Sequence, residues 1–296
     1  MKKLSLLIVG MGDIGTRLAS SQPNQRILGL TRSSESAVRV RKASALPVMA
    51  DLDKPGSLNR IAGLAPWVAH LAPPPGDTEG DPRTRHLIAA LGKAAVKRGS
   101  LPRRMVYIST SGVYGNCNGE RVFEHRPTAA SNSRAKRRVD AERQLRRFAA
   151  RNGIRLAILR APGIYAADRL PLERIRKQTP AVRSEEDSYT NHIHADDLAN
   201  LVRLVLFRGK PNRIYHAVDD SVEKMGDYFD KVADRFGLPR TPRITRAEAQ
   251  AVLSPALLSF LNESRILDNT RLKAELRVKL KYPDVETFLK SLPPRE

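Results

Sequence analysis

Gly10, Gly12 and Gly15 stand in the pattern Gly10-Met11-Gly12-Asp13-Ile14-Gly15, directly after the apolar run Leu4 to Val9 and ahead of an amphipathic stretch at 14 to 20. Between a strand and a helix this spacing binds phosphate. The first glycine permits a tight turn, the second lets a diphosphate approach the backbone, and the third lets helix and strand pack closely. Asp13 and Ile14 open the helix, where free amides and the helix dipole favour an anion. A glycine-rich turn that holds no ligand is the other reading of the same residues.

The second apolar run ends in Leu30-Thr31-Arg32-Ser33-Ser34. A site for NAD usually presents Asp or Glu there to the ribose 2′-hydroxyl, whereas Thr31, Arg32 and Ser33 complement a 2′-phosphate. NADP is therefore the expected cofactor. NAD is the alternative, with Glu35 as the competing acid, although Glu35 lies beyond the strand end and also suits the first turn of a helix. Asp51 and Leu52, after the third run, could meet an adenine edge, and a helix cap before Pro55 explains Asp51 equally well.

Such residues need a scaffold that presents them along one edge. Short apolar runs, Leu4 to Val9, Arg26 to Leu30, Leu46 to Met49, Trp67 to Leu71, Arg104 to Ile108 and Leu156 to Leu159, alternate with helical candidates at 14 to 20, 54 to 62, 83 to 98 and 133 to 151. Near-continuous apolar strands separated by helices predict an α/β fold with a doubly wound parallel sheet buried on both faces. After Arg160, Pro162-Gly163 breaks the chain and 165 to 190 is mostly polar. Helical periodicity returns at 192 to 207, ahead of a short strand at 213 to 217. From Ser221 the segments read as helices interrupted by Pro239, Pro242 and Pro255, a smaller lobe on the sheet's C-terminal edge.

At 296 residues with one cysteine, Cys117, the chain is long enough for a large core and excludes a disulfide scaffold. With 52 Lys and Arg against 31 Asp and Glu the net charge is +21, which favours anionic partners. The two lysines and apolar run at the start lack a small-residue cleavage site, and no run reaches the roughly 18 to 20 apolar residues of a membrane span. A cytoplasmic protein without a membrane partner is expected.

The fifth run leads into Tyr107-Ile108-Ser109-Thr110-Ser111-Gly112-Val113-Tyr114-Gly115. Here the chain resembles the extended short-chain dehydrogenase/reductase (SDR) family, in its epimerase and dehydratase branch. Glu124-His125-Arg126-Pro127, Leu159 to Tyr165, Asn191 to Ala199 and Asp268 to Tyr282 agree in order and spacing. The resemblance implies a Rossmann domain made of residues 1–164 plus 191–218, and a substrate-binding lobe made of 165–190 plus 219–296. It also implies that Thr110 hydrogen-bonds the substrate oxygen, with Ser109, Ser111 and Tyr114 beside it. Leu71, Ala72 and Pro73 would line the adenosine and nicotinamide ribose, or simply end a strand, and Pro162, Gly163 and Ile164 would border the cofactor.

The family's acid/base pair is a tyrosine four residues before a lysine. Here those positions fall on Arg134 and Arg138. A guanidinium stays protonated near neutral pH and cannot exchange a proton with an alcohol or ketone. Arg138 could still reach a ribose hydroxyl, and Arg134 could grip a carboxylate or phosphate. The resemblance is thus nearest to atypical SDRs that keep the nucleotide pocket and lose the catalytic pair. Replacement proton donors by position are Tyr114, Tyr165, His125, His192 and His194, the last two equally explained by capping and packing before Asp196-Asp197.

No metal site is expected, because Cys117 is alone and the histidines lack ligand spacing. Arg134 to Arg155 is dense in Arg and Lys and could track a phosphate backbone, but only Phe148 interrupts it and aromatics are 5% overall. A solvated basic face is favoured over nucleic-acid binding. The expected function is an NAD(P)-dependent oxidoreductase or epimerase/dehydratase with a small or nucleotide-linked anionic substrate. Basic residues such as Arg169 support the anionic substrate. The alternatives are a non-catalytic NADP sensor or scaffold and, further off, a nucleic-acid-associated protein. A homodimer is compatible with this reading.

Overall fold

The computed structural model describes residues 5–96 and 101–293. Leu4 and residues 97–98, expected at a strand start and a helix end, lie outside them. Five strands, β1 (Ser5–Val9), β2 (Arg26–Thr31), β3 (Leu46–Met49), β4 (Trp67–His70) and β5 (Arg104–Thr110), alternate with helices α1 (Asp13–Ser20), α2 (Ser34–Lys42) and α3 (Pro82–Val96). Between β3 and β4 the expected helix is a 3₁₀ segment, Pro55–Ile61. Pro55 and Gly56 in so short a stretch favour the tighter turn over an α-helix.

A two-residue strand β6 (Arg121–Val122) and helix α4 (Ser133–Arg151) lead to β7 (Arg155–Ala161). There follow β8 (Gly163–Tyr165), α5 (Leu172–Arg176), β9 (Ala181–Val182), β10 (Tyr189–Thr190), β11 (His192–His194), α6 (Ala195–Arg208) and β12 (Arg213–His216). The seven-stranded sheet runs β12-β7-β5-β4-β1-β2-β3, with every neighbouring pair parallel. Leu18, Val40, Leu198 and Val202 of α1, α2 and α6 fill one face. Leu58, Leu87, Leu91, Ala141 and Leu145, from the 3₁₀ segment, α3 and α4, fill the other. Burial on both faces is why these strands read as unbroken apolar runs. The order reverses between β1 and β4, the place where such sheets open a ligand crevice.

The expected helix at 192 to 207 begins only at Ala195. Residues 192–194 form β11 beside β8, and the His194 side chain accepts the Asp196 amide as the cap of α6. Beyond β12 come β13 (Glu223–Lys224), α7 (Met225–Phe236), β14 (Arg243–Ile244), α8 (Arg246–Val252), α9 (Pro255–Leu261), β15 (Ile266–Leu267), α10 (Thr270–Leu276) and α11 (Val285–Ser291). Pro255 opens α9, where its missing N–H costs nothing. A second cluster joins Tyr165, Ile175, Val232 and Phe288. Leu272, Leu276 and Leu280, although late in the chain, pack in the core with α6.

Candidate functional site

The glycines of the first turn are required for three different reasons. Gly10 has φ +107°, and a Cβ there would lie 2.5 Å from the Ala72 nitrogen. That approach is forced because Leu71 and Ala72 both donate their amides to the Val9 carbonyl, at 2.8 and 2.9 Å, drawing the 71–73 loop across the end of β1. A Cβ on Gly15 would sit 2.4 Å from the Gly10 carbonyl oxygen, so this glycine serves helix–strand packing. A Cβ on Gly12 would meet nothing within 4 Å. Gly12 also caps α1 without any side-chain hydrogen bond, so the first amides of the helix stay open. Nothing in the protein's own packing demands a glycine at 12, and an open helix terminus beside free space suits a diphosphate.

Beside this turn a crevice of about 330 Å³ is bordered by Gly10, Gly12, Thr31, Arg32, Asp51, Leu52 and Ala72. Ser33 is not on its wall. Its hydroxyl accepts the Ser36 amide at 3.2 Å and caps α2, a use of serine that sequence alone does not separate from ligand binding. Ser36 and Arg39, one turn apart on α2, do face the crevice beside Arg32, which precedes the helix. Asp51 is a turn-maker, its carboxylate accepting the Asp53 amide at 2.9 Å. Arg83 grips Asp53 through two hydrogen bonds of 2.8 and 2.6 Å, holds its carboxyl below the ordinary range, and donates to the Pro73 carbonyl at 3.1 Å. Pro73 thus anchors the 71–73 loop without bordering the crevice, and Leu71 packs against the core.

A second cavity of about 420 Å³ opens at the C-terminal ends of β5 and β7. It brings together Ser109, Thr110, Ser111, Arg134, Arg138 and Pro162 to Ile164. Thr110 Oγ1 accepts the Gly112 amide at 3.2 Å, so its proton is free for a ligand. Ser109 is 2% exposed and its hydroxyl has no hydrogen-bond partner among the described residues. An orphaned buried hydroxyl on a cavity wall fits a ligand that satisfies it. Arg138 donates to the Ile108 carbonyl at 2.7 Å and to the Tyr107 hydroxyl at 3.1 Å, which fixes it beneath the cavity. One turn earlier, Arg134 lies 4.7 Å over the Phe260 ring.

Tyr114, expected beside Thr110, does not reach this cavity. Its hydroxyl is buried against His216 Nε2 at 2.6 Å, the Arg160 guanidinium stacks 4.7 Å over its ring, and burial pushes the phenol up to about 12. Arg160 is in turn paired with Glu142 at 3.1 and 2.8 Å, both nearly fully buried. His194 is committed to capping, and burial lowers it to about 4. His192 packs against Tyr228 with centroids 4.2 Å apart, and His125 stacks on Phe123. Tyr165 is buried in the second cluster.

The far wall came from residues the sequence reading missed. Phe260, from the last turn of α9, and Glu263 and Arg265, from the loop after it, border the cavity. Glu263 accepts from Asn132 at 2.9 Å and from Arg265 at 3.0 Å, and Arg265 donates to the Gly115 carbonyl at 2.6 Å. Of the basic residues on α4, Arg138 turns inward, Arg143 pairs with Asp140 and Arg137 reaches the Thr78 carbonyl. No helix among the described residues is long and apolar enough to cross a membrane.

Comparison with known proteins agrees with this architecture. A conserved protein of unknown function from Silicibacter pomeroyi superposes with a TM-score of 0.80 at 27% identity, covering 98% of each chain. UDP-glucose 4-epimerase from Thermotoga maritima, solved with UDP-glucose, gives 0.76 at 17% identity over 97% of this chain and 96% of that one. MoeE5, solved with UDP-glucose and NAD, gives 0.74 at 18% identity with the same coverage. At 17 and 18% the likeness to these last two is one of fold. No curated protein matches the sequence. The model of the NAD-dependent epimerase/dehydratase family matches residues 6–218, from β1 through the strand that closes the sheet. The chain belongs to that family of SDR-like proteins that bind nicotinamide dinucleotides.

Proposed function

We propose that the protein is an NADP-dependent oxidoreductase or epimerase/dehydratase that acts on a small or nucleotide-linked anionic substrate, with arginines at the positions of the family's tyrosine and lysine. The observation that carries this reading is the cavity that unites Thr110 and Ser109 with Arg134, Arg138, Arg169 and Arg265. Two orienting hydroxyls face a concentration of fixed positive charge. In this reading residues 1–164 with 191–218 hold the dinucleotide, and 165–190 with 219–296 supply the walls of the substrate pocket.

When bound, the nicotinamide supplies a hydride donor or acceptor. The chain's own residues then bind and orient. Thr110 donates to a substrate oxygen, Arg138 meets ribose hydroxyls or the substrate, and Arg134 holds a carboxylate or phosphate. Neither guanidinium gives up its proton near pH 7, so the proton that the substrate oxygen gains on reduction comes from water, and the one it loses on oxidation goes to water. Arg32, with Ser36 and Arg39 beside it on the crevice wall, favours a 2′-phosphate over a bare ribose. Calorimetric titration with NADPH and NADH tests the assignment. The wild type binds NADPH more tightly, and Arg32→Ala removes the preference by about 10-fold. Tighter NADH binding by the wild type, or a preference that survives the substitution, refutes NADP.

A second reading, a sensor that binds NADP without turnover, is favoured by one observation. Tyr114 and His194, two of the neighbouring groups that could replace the tyrosine, are both committed to buried hydrogen bonds. Binding without oxidation of NADPH across a carbonyl panel would select it.

A further inference from the structure

The first turn of α1 is tied to the second lobe by a charge arrangement that its own stability does not require. Asp13 Oδ1 accepts from Arg17 Nε at 2.7 Å, and Arg17 Nη1 reaches Asp196 at 2.5 Å, so both carboxylates already have a cation. Arg169, on the 3₁₀ turn Ala167–Arg169 after β8, then adds a second cation, its Nη2 lying 3.1 Å from Asp13 Oδ2. That contact lacks hydrogen-bond geometry. Asp13 Oδ2 is buried and accepts no hydrogen bond, and no other partner holds the Arg169 side chain among the described residues. A guanidinium with uncommitted donors, parked on one acid at the open amides of α1, is placed for a stronger anion. A diphosphate at those amides would bring more charge than Asp13 and would be repelled by it unless a cation stood between them.

The geometry points to Arg169 as a diphosphate contact contributed by the second lobe, moving from Asp13 to the dinucleotide when that binds. The inference rests on the dinucleotide-binding reading above. Arg169 also borders the 420 Å³ cavity, so the element that walls the substrate pocket is the one that senses the cofactor's diphosphate. Asp13 is its resting partner and competes with the ligand for it.

Calorimetric titration of the full chain with NADPH, with 2′-phospho-ADP-ribose, which keeps the diphosphate, and with 2′-AMP, which lacks it, tests the assignment. Arg169→Ala weakens the first two by about 10-fold and the third by less than about 2-fold. Arg169→Lys, which keeps the charge and serves as the folding control, recovers most of the loss. In an Asp13→Asn background Arg169→Ala still costs about 10-fold, because the contact is with the ligand. Equal binding by wild type and Arg169→Ala overturns the proposal. So does a loss that vanishes in the Asp13→Asn background, since Arg169 would then act only by holding Asp13. An equal loss for 2′-AMP also overturns it. Failure of the wild type to bind either NADPH or NADH instead overturns the dinucleotide reading itself, and this assignment with it.

Discussion

The two cavities at the strand ends are built in different ways. The crevice beside the first turn is bordered by Gly10 and Gly12, the end of β2, the first turns of α2 and α3, and the loops after β3 and β4, all within the first 83 residues. The second cavity gathers side chains from β5, α4, β8 and the loop after α9, with Glu263 hydrogen-bonded to Asn132 across 131 positions. A backbone-made site tolerates few residue types at each position, whereas a site made of side chains can exchange a tyrosine for an arginine while the fold persists. On the proposed reading, that contrast lets the cofactor end keep the family pattern while Arg134 and Arg138 stand where the resemblance places the acid/base pair.

Two glycines sharpen the comparison most. Gly15→Ala drives a Cβ into the Gly10 carbonyl at 2.4 Å and costs about 1–3 kcal/mol of stability, read by denaturant unfolding without any ligand. Gly12→Ala meets empty space and changes stability by only a few tenths of a kcal/mol, yet weakens NADPH binding by about 10-fold or more. Equal loss of stability in both variants would mean that Gly12 also serves packing and that the space beside it is not a ligand site.

The smallest effect concerns His194, at the joint between the sheet and the second cluster. Its imidazole is lowered to about 4 by burial, against an ordinary value of 6.5. Between those values the unfolded chain binds the extra proton, so the stabilisation is present above pH 6.5 and is lost as pH falls through 4. His194→Asn keeps a capping side chain without the titration. Its melting temperature therefore falls less between pH 7 and pH 5, by about 2–4 °C, than that of the wild type. Parallel melting curves against pH would show that His194 carries none of the acid sensitivity.

The sheet was legible because strands covered on both faces carry unbroken apolar runs, and the first turn because no other residue fits Gly10 or Gly15. Local ambiguity hid the rest. His192-Ile193-His194 continues the helical period of α6, yet pairing with β8 outweighs it. Ser33 has the same chemistry as a helix cap and as a phosphate ligand, and the first turn of α2 takes it as a cap. Tyr114 stands at the right distance from Thr110 in sequence, but Arg160 and His216, far along the chain, draw its hydroxyl into the core. Glu263 and Arg265 had no local signal at all, because only the return of the chain after α9 brings them to β5.

The proposal of a retained cofactor end beside a rebuilt acid/base end is tested most directly by one paired assay. NADPH binding and NADPH oxidation with a carbonyl panel are measured on the wild type and on the double variant Arg134→Tyr with Arg138→Lys. The wild type binds NADPH and oxidises it slowly, below about 1 s⁻¹, and the double variant binds comparably and turns over faster, because general acid/base catalysis contributes about 10² to 10⁴-fold. A wild type that already turns over at about 10 s⁻¹ or more, and is slowed by the replacement, would show that the two arginines belong to a working active site and contradict the account.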